Sequence, residues 1–455
     1  MATVKSAAPT ELGTEKISKL LKQYAAPAIV AMTASSLYNM VDSIFIGQGV
    51  GTLAIAGLAL TFPLMNLGAA FGSLVGVGSS TSISILLGQK NYEMARRVLG
   101  NVVTLNTIIG ITYMVIVYAF LNPILYFFGA SDQTLPYARE YMEIILLGNI
   151  ITHMYFGLNA VLRASGFPRF AMMATICTVI INTILDPIFI FWFGWGIRGA
   201  AVATVIAQFI SLCMIVKMMS NKDNEIHFAK GTYSLVPRIV KDILSIGIAP
   251  FSMNAAACFV VIVINQSMQR HGGDLAIGAY GIVNRVAFIF IMIVMGFNQG
   301  MQPIAGYNFG AQKFNRVHKV LVDTILCATC VTTLGFLIAE IFPNAFIKIF
   351  TKDPELIERC REGVRIVFLM FPIVGFQMVT GNFFQSIGIA GKSIFLSLSR
   401  QLIFLLPCLL ILPTFWGTRG VWYSMPISDA LASIIAAFLL FNQLKKFKKE
   451  HNNGI

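Results

Sequence analysis

The chain has 455 residues, 56% of them hydrophobic and only 12% charged, with a mean hydropathy of +0.76. Soluble domains carry about 25% charged residues, so the composition excludes an ordinary soluble fold. The net charge of +13 sits in loops and tails, where it reports membrane orientation and argues against a nucleic-acid partner.

Residues 1–23 form a polar tail without the short apolar core of a cleavable signal peptide, so the first helix is expected to serve as the insertion signal. Crossing the hydrocarbon core takes about 20 apolar residues. Twelve such runs follow, at 24–47, 53–84, 98–121, 138–162, 170–193, 199–219, 243–269, 275–305, 317–341, 360–386, 392–414 and 420–441. The longest polar stretch, about 220–242, reads as a cytoplasmic linker, and 442–455 is a basic tail whose KKFKK suits anionic headgroups. Lys and Arg concentrate before the first run, around 90–97, 163–169, 217–241 and 313–319, and after the last run. By the positive-inside rule both termini are cytoplasmic. This predicts an all-α polytopic membrane protein with the bilayer as its main partner.

Charged side chains inside the runs are costly unless they face a partner or a water-filled path. Asp42 interrupts LYNMVDSIFIG, and Asp186 interrupts INTILDPIFIFWF. Asp42 lies about 5 residues, or roughly 8 Å, below the outer end of its helix, and Asp186 about 7 residues, or roughly 10 Å. Thr204 lies roughly 8 Å into the sixth helix, and Asn182 shares the Asp186 face one turn earlier. Two carboxylates, an amide and a hydroxyl at one depth suit a hard cation. Two close carboxylates also cannot both ionise cheaply, so the pair can hold a proton. Pro187 removes a backbone donor and frees the Thr183 carbonyl.

Other intramembrane polar groups read as structural. His153 lacks a carboxylate at helical spacing and is expected to pack. Cys327 and Cys330 form a CxxC without further ligands, so no metal site is expected beyond Na⁺ at the acidic pair. Arg285, roughly 16 Å into its helix, is expected to be a buried partner of helix carbonyls or an acid. Arg400 reads as an anchor near the cytoplasmic end. Asp429, roughly 14 Å deep, reads as half of a structural pair.

An internal repeat organises the chain. Sliding it by about 222 positions places Gly51 on Gly273, Leu53-Ala54-Ile55 on Leu275-Ala276-Ile277, Gly78 on Gly300, Gly88 on Gly310 and Gly166 on Gly388, the pattern of parallel repeats in transporters. Two pseudo-symmetric six-helix lobes follow: an N-lobe at 24–219 and a C-lobe at 243–441, joined by 220–242. Asp42 maps onto Ile264 and Asp186 onto Cys408, so the acidic pair belongs to the N-lobe alone.

LYNMVDSIFIG, RASGFPRF, NTILDPIFIF, GIRGAAVAT, YNFGAQKF, FFQSIGIAGKS and GVWYSMPISDA, in this order over nearly the whole chain, resemble the multidrug and toxic compound extrusion (MATE) exporters. The resemblance implies two six-helix lobes around a V-shaped cavity, with H⁺ or Na⁺ influx driving export of organic, often cationic, compounds and no cofactor. It implies that Asp42, Asn182, Asp186 and Thr204 form the cation-coupling site and that Pro27 is the helix-1 hinge. The NorM-type acids of helices 7 and 10 are absent; helix 10 offers Gln377 and Asn382. The pattern is closer to the DinF-like and MepA-like bacterial branch.

The expected function is therefore a cation-coupled antiporter of the bacterial cytoplasmic membrane, sufficient as a monomer, for small organic, cationic or amphiphilic substrates. Tyr38, Phe62 and Met65 are candidate cavity residues. The rival reading is a flippase of lipid-linked or amphiphilic substrates on the same broad fold. A membrane-embedded enzyme is not expected, since no nucleophile–base pair or His–carboxylate cluster appears at helical spacing.

Overall fold

Hydrophobic runs in lipid must satisfy every backbone group internally, which favours helices, and the described elements are all helical. The structure, a computed structural model, describes residues 9–350 and 352–452; within these the side chains of 9–10, 37–40, 43, 47, 52, 55, 274, 346, 349–350 and 448–452 lie outside the description. In chain order the helices are α1 (Ile17–Gly49), α2 (Thr52–Gly88), α3 (Tyr92–Ala119), α4 (Leu121–Phe127), α5 (Leu135–Leu147), α6 (Asn149–Ala164), α7 (Pro168–Pro187) and α8 (Ile197–Met219). There follow α9 (Pro237–Gly310), α10 (Phe314–Ile341), α11 (Pro343–Phe350), α12 (Pro354–Phe368), α13 (Phe371–Ser386), α14 (Ala390–Leu398), α15 (Leu406–Trp416) and α16 (Thr418–Asn452).

Among the described residues nine helices are long and apolar enough to cross a membrane, or eleven when two bent pairs each count as one span. With α1, 33 residues long, they account for the twelve apolar runs. α9 contains two of these spans, divided at Gly273, whose φ of 65° and ψ of −162° interrupt the helix.

Two expected helices are broken rather than continuous. The run at 138–162 bends by 56° between α5 and α6, and the run at 360–386 by 53° between α12 and α13. The first bend falls at Gly148, where a Cβ would lie 2.5 Å from Val205 Cγ2. Only glycine lets α8 pass there, and the Asn149 amide just beyond it donates to the Gly110 carbonyl at 3.0 Å. The second bend has a proline, Pro372, in the first turn of α13, where its missing N–H costs nothing.

The chain divides into two compact units, Met1–Thr14 with Val30–Phe251, and Glu15–Ile29 with Ser252–Ile455. Each unit thus takes one half-helix from the other half of the sequence. In the first unit the start of α9 crosses α2 at glycines: a Cβ on Gly78 would meet the Ile243 carbonyl oxygen at 2.0 Å, and one on Gly247 the Leu74 carbonyl oxygen at 1.8 Å. In the second unit the start of α1 crosses the later part of α9 at Gly296 and Gly300, which face Ile29 and Ala25. Small residues at such crossings let backbones approach and gain dispersion contact, the main driving force in lipid.

The segment between α8 and α9 is tied to α3. Asn101, fully buried, donates from Nδ2 to the carbonyls of Thr232 (3.2 Å) and Ser234 (3.1 Å) and accepts from the Val236 N–H (2.9 Å). Thr104 Oγ1 donates to the Tyr233 carbonyl at 2.7 Å. Losing a buried amide that holds three partners costs about 1–3 kcal/mol. Asn101→Ala is therefore expected to raise the rate of tryptic cleavage at Lys222 and Lys230 about tenfold or more, read on gels of membrane-embedded protein; unchanged cleavage would count against the tie.

Candidate functional site

Three helices converge on one polar cluster in the first unit. α1 brings Asp42, α7 brings Asn182 and Asp186 one turn apart on one face, and α8 brings Thr204. Two glycines permit the convergence. A Cβ on Gly49, two turns beyond Asp42, would lie 2.4 Å from Ile190, and one on Gly199, before Thr204, 2.8 Å from the Phe189 backbone. Both glycines pack on a π-helical turn at Ile188–Trp192 that follows Pro187. The proline interrupts the ladder just beyond Asp186, and the chain widens there; such turns recur at functional sites.

All four polar groups are buried: Asn182 and Asp186 are fully covered, Asp42 and Thr204 6% exposed. The carboxyl groups of Asp42 and Asp186 lie within hydrogen-bonding reach of each other. In the orientation that satisfies both its ends, the Asn182 amide donates from Nδ2 to Asp186 Oδ2 at 2.9 Å and accepts at Oδ1 from Thr204 Oγ1 at 3.1 Å. Oδ1 of Asp42 and Oδ1 of Asp186 are buried with no partner among the described residues. Two charges so placed would repel at low dielectric. A shared proton relieves this, and so does a small cation on the free oxygens; the described partners of the pair, Asn182 and Thr204, are neutral.

The structure thus brings together Asp42, Asn182, Asp186 and Thr204. Pro27 lies inside α1, three residues before the chain passes from the second unit to the first. The Tyr38 side chain lies outside the description. Phe62 is 42% exposed, whereas Met65 is half-buried and accepts from Thr61 Oγ1 at 3.7 Å. His153 is fully buried beside Tyr113, with ring centroids 6.1 Å apart.

Two readings of arginines are corrected. Arg285 is exposed rather than buried, because the packed face of its helix runs through Ala279, Val283, Val286 and Phe290 while Arg285 shares the open face with Phe288 and Ile289. Arg400 is no cytoplasmic anchor. It lies about 15 Å along its span at 1.5 Å per residue and donates from Nε to Asp429 Oδ1 at 2.6 Å. It sits on a π-helical turn, Ser399–Leu405. Helical counting could not foresee that.

A sequence model of the family described as MatE matches the chain twice, over residues 27–188 and 250–410. The chain belongs to the MATE family. One match falls in each half, as a duplicated MATE unit requires. Among its relatives, Multidrug export protein MepA of Staphylococcus haemolyticus (strain JCSC1435) is 26% identical over 426 residues, covering 94% of each chain. Multidrug export protein MepA of Staphylococcus aureus (strain MSSA476) is 27% identical over 429 residues, 93% of this chain and 94% of that one. The solved outward-facing conformation of a multidrug resistance MATE family transporter of the MOP superfamily has the same fold, with a TM-score of 0.92 at 24% identity over 98% of this chain and 100% of that one. As a MATE protein the chain is a membrane transporter.

Proposed function

We propose that this MATE protein is an antiporter of a bacterial cytoplasmic membrane, with both termini cytoplasmic, that exports organic cationic or amphiphilic compounds in exchange for H⁺ or Na⁺. The Asp42–Asp186 pair carries this reading: two carboxyl groups buried together in a membrane unit, with one free oxygen each. Such a site is costly when doubly charged and inexpensive when neutralised. Its relatives' description as multidrug export proteins supports the substrate class.

In the cycle, the pair takes up H⁺ or Na⁺ from outside. Neutralisation allows α1 to bend near Pro27, and the compound bound in the N-terminal half is expelled. The ion leaves only after the protein turns inward, so the two flows are coupled through differential affinity for the two states. Asn182 and Thr204 orient the Asp186 carboxylate, and their oxygens complete the shell for a hard cation.

The test is transport of ethidium in proteoliposomes with a pH gradient or a Na⁺ gradient imposed separately. Movement driven by one gradient alone is expected and names the ion. No movement under either gradient, in protein with an intact thermal transition, would overturn the reading in favour of an amphiphile flippase.

A further inference from the structure

The second unit holds a charged site that the acidic pair does not use. Arg400 Nε meets Asp429 Oδ1 at 2.6 Å; the Asp429 side chain is 6% exposed, whereas that of Arg400 is 29% exposed. Among the described ion pairs this carboxylate is the most buried. Both residues lie about 15 Å along their spans, near mid-membrane.

Stabilisation does not explain the pair. A buried ion pair is often no more stable than apolar side chains of equal volume, and a helix staple has no need of further unpaired polar atoms around it. Here there are two. Among the described residues Gln401, 9% exposed, keeps Oε1 without a partner, and Ser433, 7% exposed and one turn beyond Asp429 on α16, keeps Oγ without one. The π-helical turn Ser399–Leu405 carries both Arg400 and Gln401, and such turns recur at functional sites. Tyr280, 8% exposed, lies within electrostatic reach of Arg400. A carboxylate, an aromatic ring and acceptor oxygens are what an organic cation requires of a pocket. The guanidinium is itself a tethered organic cation.

We propose that Asp429 is a binding carboxylate for an organic cation and that Arg400 is its resident counter-ion, displaced when the substrate arrives. Asp429 stays paired throughout, because one cation takes the carboxylate as another leaves it; the displaced guanidinium remains tethered, and its side chain is already 29% exposed in the ion pair. This inference rests on the reading of the substrates as organic cations, but it is independent of the coupling ion.

The experiment measures equilibrium binding of tetraphenylphosphonium to purified full-length protein in nanodiscs, without a gradient, alongside thermal stability. Arg400→Gln is expected to bind about tenfold tighter, because a competing occupant is gone. Asp429→Asn is expected to bind about tenfold weaker. The double variant Arg400→Gln/Asp429→Asn leaves no unpaired charge, so it is expected to recover stability but not affinity.

If the pair only joins two helices, stability and affinity fall together in both single variants and return together in the double. That result would overturn the proposal. Wild-type protein that binds no organic cation would overturn both this site and the substrate reading. The expected binding shifts in protein that shows no gradient-driven transport would leave this site standing and remove the antiport reading.

Discussion

Asp186→Asn is expected to lower gradient-driven export by about a hundredfold or more, equivalent to at least about 2.7 kcal/mol, while the protein stays folded. The side chain keeps its shape and its contact with Asn182, so packing in α7 is undisturbed. What disappears is a group that changes charge. Asp42→Asn should have the same effect, because in the proposed cycle the two carboxyl groups hold one proton or cation between them. Groups that act as one unit give non-additive losses, so the double variant should be no worse than either single. Removing a buried charge with an unpaired oxygen carries little stability penalty, and thermal transitions should stay close to wild type. Export rates in reconstituted vesicles decide the matter. Either variant exporting at near-wild-type rate would refute the coupling role.

The second large effect concerns folding. Gly247→Ala and Gly78→Ala are each expected to destabilise the first unit by about 3 kcal/mol or more. The atoms that a new methyl would strike, the carbonyl oxygens of Leu74 and Ile243, belong to backbones. No rotamer change relieves such a clash, so α2 and the start of α9 would have to separate and lose the contacts that hold them in lipid. Gly281→Ala and Gly381→Ala are the controls. Nothing lies within 4 Å of a Cβ at either position, and alanine is the better helix former. Thermal transitions of the four variants would test the point, and equal stability across them would contradict the close crossing.

The acidic pair was legible in the sequence because a carboxylate in an apolar run is a strong local signal, and helix counting set Asp42, Asp186 and Thr204 at one depth. The twelve spans were legible for the same reason, since hydropathy reports length directly. What the sequence concealed are departures from a straight 3.6-residue helix. The turn at Gly148 and the break before Phe371 leave hydropathy unchanged, so each bent span reads as one helix. Asp429 reads as half of a structural pair and meets Arg400; Arg400 is not named as that partner because its position in the run reads as nearer the cytoplasmic end. Depth along a helix does not say which face packs, so Arg285 reads as buried in the sequence and is exposed in the structure. Gly49 and Gly199 left no chemical signal at all; their role is visible only through the atoms that approach them.

The exchanged half-helices impose an order on biosynthesis. Residues 15–29 pack with the second unit, against Gly296 and Gly300, yet they leave the ribosome long before those partners. At about 5–20 residues per second, some 270 residues of translation separate Ala25 from its partners, a delay of roughly 15 to 50 seconds. During that interval the start of α1 is held by lipid and the insertion machinery alone. The first unit likewise stays open until residues 237–251 emerge. A chain severed between Met219 and Pro237 would yield two fragments that each lack a piece of their own core, so neither half of the gene encodes a self-sufficient folding unit.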